Sequence, residues 1–192
     1  MPLSNPSAVP LSTPDGATPG PMRAPIIEQI ADWHCRAIQE ITIDNGYHQD
    51  LAATRDDTEF TDSITETVRD LSVFCCISNE DGAVEKVTET AEAICWGVVY
   101  DAFVHLVGKG ATNTGTETRI SQVVADIHRR MGVEMYDGAT SASGTMCDAL
   151  ANAIHLLPWE VRYSGEQACI IVRVPIQIDF WVSCYDPSET GP

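Results

Sequence analysis

Residues 168–185 read ACIIVRVPIQIDFWVSCY, and this stretch decides the fold class. Ile170, Val172, Val174, Ile176, Ile178, Phe180 and Val182 fill consecutive even positions, while Arg173, Pro175, Gln177, Asp179 and Ser183 fall on odd ones. A period of two belongs to an extended strand, whose side chains alternate between faces; a helix would space apolar residues by three and four. Ala168 to Tyr185 is therefore expected to be one long strand with its even face on a core. Pro175 has no N–H to give a ladder, which places it at a sheet edge or a bulge. Just upstream, Trp159, Val161 and Tyr163 alternate with Glu160, Arg162 and Ser164, predicting a hairpin that turns at 164–167.

Working toward the N-terminus, Ile120, Val123, Val124, Ile127 and Met131 recur at helical spacing. They predict an amphipathic helix with Arg129 and Arg130 in its last turn, Gly132 as its stop, and loops over 112–118 and 133–147. Leu71 to Ile77 reads as a short strand ending in the turn signal Asn79-Glu80-Asp81-Gly82. The run from Val84 to Val107 is polar at first (Glu85, Lys86, Glu89) and then apolar, which predicts a long hairpin with a buried base and a projecting tip. Residues 49–67 are acidic and read as a solvated connection; a metal site at Asp56 and Asp57 is only weakly signalled, because the spacing lacks the calcium-loop pattern. Pro25 opens a further helix whose stripe is Ile27, Ile30, Ala31, His34, Ile38 and Ile41, with Asn45-Gly46 as its stop and His34 as a packed histidine.

Residues 1–24 carry proline at 2, 6, 10, 14, 19 and 21 and cannot bury enough apolar surface to form a core, so they are expected to be an extended arm or a disordered tail. The domain organisation is thus an arm (1–24), one domain (25–187) and a short polar tail (188–192). Its fold class is α+β: two amphipathic helices packed on one face of a mainly antiparallel sheet, with a long projecting hairpin.

The 192 residues carry a net charge of −17, with Lys86 and Lys109 as the only lysines among eleven basic residues. Nucleic-acid binding draws its affinity from cations on phosphates, and binding to an acidic membrane surface does the same, so both are disfavoured. Strong acidity with little lysine suggests a halophilic source, where molar salt screens self-repulsion. No stretch is long and apolar enough for a membrane span, and no signal peptide is expected. The seven cysteines, at 35, 75, 76, 95, 147, 169 and 184, form no C-x-x-C pair and mostly sit in apolar runs, so they are expected to be reduced core residues.

Common catalytic patterns are missing: no G-x-S-x-G, H-E-x-x-H, G-x-G-x-x-G or Walker spacing occurs, Gly108-Lys109-Gly110 included. Cys147 with Asp148 and His155, and His48 with Asp50, are the conceivable reactive sets, and ordinary packing or loop polarity is the stronger reading of each. No catalytic, cofactor-binding or metal-binding residue is assigned.

The stretch Ile41-Thr42-Ile43-Asp44-Asn45-Gly46-Tyr47-His48-Gln49-Asp50-Leu51 after a helix, a hairpin, a second helix, and a final strand closing on Tyr185-Asp186-Pro187 resembles the tail terminator (tail completion) proteins of long-tailed viruses of bacteria and archaea. The resemblance implies a non-enzymatic virion protein of the tail and neck, assembled in the host cytoplasm into a ring, commonly a hexamer. Such a ring stops tail-tube polymerisation and offers a surface to the head. It would have the tail tube protein and a head-completion or connector protein as partners, and would let DNA pass without binding it specifically. The contacts expected on this reading are Asn79, Glu80, Asp81, Glu85, Lys86 and Glu89 against a neighbouring subunit or ring, and Pro6, Pro10 and Pro14 of the arm along another chain. Another neck or tail-tube component is the first alternative, and a small acidic hydrolase or ligand-binding domain the second.

Overall fold

The computed structural model describes residues 23–55, 69–107, 114–140, 146–164 and 169–190. Two fifteen-residue strands, β4 (Ala93–Val107) and β7 (Cys169–Ser183), form the spine and pair antiparallel along their whole length, from Ala93 opposite Ser183 to Val107 opposite Cys169. On the free side of β4 lie β2 (Ser72–Ile77), opposite residues 100–104, and β3 (Val84–Glu89), opposite residues 94–98. On the free side of β7 lie β6 (Glu160–Ser164), opposite residues 169–173, and β5 (Ala153–Leu156), opposite residues 176–179. β1 (Ala52–Arg55) pairs parallel to β2, the one parallel pair among the seven strands of the described residues.

Both helices, α1 (Ile26–Gln39) and α2 (Thr114–Thr140), cover the face made by the even positions of the spine. Ile26, Ile30, Ile38 and Ile41 pack with Tyr100, Val174, Ile176 and Ile178 in one buried cluster. The α+β class, the helices on one face and the mainly antiparallel sheet agree with the sequence reading.

Several expectations need correcting. The segment 49–67 is not wholly irregular, since β1 occupies Ala52–Arg55; residues 56–68, with Asp56 and Asp57, lie outside the described residues, as do residues 1–22. Gly132 does not stop α2, which continues to Thr140 with Met135 packed against the core and Glu134 bridging to Arg130. Glycine inside a helix costs only about 1 kcal/mol, less than such packing returns. Pro175 lies in a central strand. Its lost donor is tolerated because it falls in the gap between β6 and β5, where its carbonyl accepts from the Leu157 amide at 3.3 Å. Nor does the β3–β4 hairpin stand clear of the sheet, because β7 is long enough to back β4 as far as Ala93. The seven cysteines are all free thiols, six of them buried or partly so.

Candidate assembly surface

The sheet face away from the helices carries a buried guanidinium. Arg173 on β7 stands opposite Phe103 and forks onto Asp101 of β4, with Nε donating to Oδ1 at 2.8 Å and Nη2 to Oδ2 at 3.0 Å. Both side chains are 4% exposed. The remaining N–H groups reach outward to the Glu80 carboxylate, the Ser78 hydroxyl at 3.3 Å and Glu160 of β6 at 3.6 Å. Burial alone would lower the Arg173 pKa; its hydrogen bonds to Asp101 and Glu80 more than offset this and raise it. Glu80 is held below the usual carboxylate range by the hydrogen bond from Arg173. One arginine therefore ties the spine to the turn that launches β3 and to the edge strand β6. Gly82 in that turn has φ +82°, a left-handed conformation that favours glycine.

β3 leaves this turn with all six residues exposed. The ladder slips between Lys86 and Thr88, leaving Val87 bulged over Gly97. A Cβ on Gly97 would lie 3.2 Å from Val87 Cγ2 and under 3 Å from both the side-chain Nε2 of Gln177 and Asp179 Oδ1, so only glycine fits there without movement. Lys86 Nζ meets Glu89 at 2.7 Å across the bulge, and Glu89 is held below its usual range by that contact. Of the expected contact residues, the structure thus brings Glu80, Glu85, Lys86 and Glu89 onto one turn and strand, with Asn79 and Asp81 exposed in the turn. Pro6, Pro10 and Pro14 lie outside the described residues. Arg173 and Asp101 were missed. Their signal was a pair of opposite charges, each set alone in an apolar alternation, but only the register between β4 and β7 brings them together.

The candidate reactive sets dissolve. Cys147 is fully buried, and burial pushes its thiol far above the usual range. Asp148 instead pairs with Arg36 at 2.8 Å, and His155 with Asp179 at 3.0 Å. His48 is joined not to Asp50 but to Asp126 of α2, whose carboxylate takes the His48 ring at 2.7 Å and the amides of His48 and Gln49 at 2.9 and 3.1 Å. Asp50 accepts the Ile43 amide at 2.7 Å. The whole stretch 41–51 is an elbow joining α1 to α2 and β1. Thr42 caps Asn45, Gly46 turns at φ +84°, Arg129 donates to the Gly46 carbonyl and lies over the Tyr47 ring, and Leu51 is buried. A shallow groove of about 610 Å³ beside α1 is lined by Arg36 and Arg55, each already engaged by carboxylates. Among the described residues no group of three or more His, Cys, Asp or Glu is arranged to hold a metal ion, and no helix is long and apolar enough to cross a membrane.

Compared with protein-family models and with curated proteins, the chain matches none.

Proposed function

We propose that this chain is a structural virion protein that closes into a ring, ends the growth of a viral tail tube and joins the tail to the head or neck. The observation that carries the reading is the exposed outer edges of β3 and β6, which like those of β1 and β5 have no strand partner among the described residues, while one buried arginine ties β6 and the turn that launches β3 to the spine. Exposed edges are usually a liability in a lone subunit and a resource in an assembly. Holding them rigidly lowers the entropy lost when subunits join. The elbow 41–51 and the closing Tyr185-Asp186-Pro187, on which the family resemblance rests, serve as structural joints, as suits a protein whose work is shape. With −17 per subunit, a ring bore would not hold DNA passing through it.

Native mass measurement in molar salt tests the reading. It should give a closed ring with one subunit number, whereas a monomer over the whole concentration range would refute it.

A further inference from the structure

The two edges that flank the spine are not alike. β3 carries a bulge at Val87, and pairing it antiparallel with itself about that residue would set Glu85 against Glu89. β6 has an unbroken ladder to β7 and no proline, and its outer edge has no strand partner among the described residues. Its residues sort by face. Glu160 and Arg162 lie on the face shared with Arg173, where they bond each other at 3.2 Å. Val161 and Tyr163 stand opposite Val172 and Ile170 on the helix side, and strand alternation puts Trp159 there too. Trp159 is 44% and Tyr163 75% exposed, so the helices leave both largely open.

This order of residues is its own complement. Two antiparallel copies of one strand in a continuous sheet are related by a twofold axis perpendicular to it, which passes between a residue and the same residue of the other copy. With Val161 on the axis, Glu160 faces Arg162 of the second copy, and Arg162 faces its Glu160. On the helix side Trp159 faces Tyr163 of the second copy, and the reverse. Opposite charges and paired aromatics stabilise a ladder when directly opposed, with Cβ atoms about 4.5–5.5 Å apart. Moving the axis by one residue destroys the match: centred on position 160 it opposes two glutamates, and on position 162 two arginines.

We infer that the outer edge of β6 pairs antiparallel with β6 of a second copy, Val161 against Val161, and extends the sheet across a twofold axis. The occupant is a second copy because the edge supplies both halves of the recognition: two crossed Glu160–Arg162 pairs on one face and two Trp159–Tyr163 pairs on the other. Chains of net charge −17 repel each other, and along this edge the local charges cancel. A twofold contact closes on two copies and does not by itself make a ring. The inference therefore goes beyond the ring reading and does not depend on it: the contact joins free subunits, or whole rings, in pairs.

The test uses the full-length chain at the lowest salt at which it stays folded, where charge pairs are least screened. Native mass over a concentration series should show association into species of even subunit number. Arg162→Glu, at an exposed position, sets Glu160 against a glutamate in both pairs and should weaken that association roughly tenfold or more. Glu160→Arg should do the same with opposed arginines. Mixing the two variants restores both pairs in the mixed dimer alone, so the mixture should associate as tightly as the parent. Amide exchange at 160–163 should slow with rising concentration in the parent and not in Arg162→Glu, a readout that stands even if Glu160→Arg, placed beside Arg173, does not fold. Association unchanged by Arg162→Glu, or a mixture of two folded variants that binds no tighter than either alone, overturns the pairing. Protection at 160–163 that is independent of concentration shows the chain covering its own edge and overturns it as well. Rings that persist with β6 unpaired leave the ring reading standing, dimers without rings remove the ring and leave the pairing standing, and monomers at every concentration overturn both.

Discussion

The Ile26 amide donates to the Pro187 carbonyl at 3.0 Å, so the first turn of the first helix is closed by the last residues of the domain. A helix start leaves its first N–H groups without partners, and here Pro25 supplies no side-chain cap. The Asp186 carboxylate shapes the turn by accepting from the Ser188 hydroxyl at 2.7 Å and its amide at 2.8 Å, contacts that hold its pKa below the usual range. Asp186→Ala should lower the thermal unfolding midpoint and increase amide exchange at Ile26 and Ile27. Unchanged exchange there would show that the turn does not depend on the carboxylate.

Arg173→Ala should be among the most damaging single changes. It strands the Asp101 carboxylate in the sheet, which costs about 3–5 kcal/mol. The pair Arg173→Met with Asp101→Leu removes both charges and should unfold at a denaturant midpoint much nearer the parent. If the single and double variants are equally unstable, the fork is not what ties the edges to the spine.

His34 sets an acid limit. It is 1% exposed, its Nε2 has no hydrogen-bond partner, its ring lies 6.0 Å from that of Tyr100, and burial lowers its pKa to about 4. The unfolded chain, with an ordinary histidine, takes up the proton first as pH falls below about 6.5. Stability is therefore unaffected above that pH and declines between about 6.5 and 4, by about 2 kcal/mol at pH 5. Burial lowers His105 and His128 too, with the same sign. Denaturant unfolding at pH 7 and pH 5 should show His34→Leu losing less stability between the two than the parent; equal losses would place the acid sensitivity elsewhere.

The charge balance gives a salt dependence. With −17 and two lysines, like charges repel over about 10 Å at 0.1 M salt and about 3 Å at 1 M. Unfolding midpoints should rise steadily with KCl up to molar concentrations, as for a halophilic protein. A midpoint that is flat or falls over that range would remove the halophilic reading.

Much of this fold was legible because its signals are local. β7 shows a period of two over many residues, α1 has its stripe, and the turn at 79–82 is written in its residue types. The expected stop at Asn45-Gly46 is not that of α1, which ends at Gln39, because Gly46 instead closes the short 3-10 helix Ile43–Asn45. What escaped depends on non-local contacts. β1 is four residues long and exists because Leu51 and Ala53 are buried under α1 and because β2 lies beside it. The second half of α2 is held across Gly132 by Met135 and Glu134, and Pro175 is tolerated through a gap between two other strands. The Arg173 clamp has the same origin: each residue is visible in the sequence, but the register that joins them is not. His48 illustrates the point most directly, since its partner is 78 positions away, not the neighbouring Asp50.

The most direct measurement is tail length in electron micrographs of virus particles made without this chain. The account predicts tails of irregular, excessive length with heads unattached. Tails of normal, uniform length would contradict it.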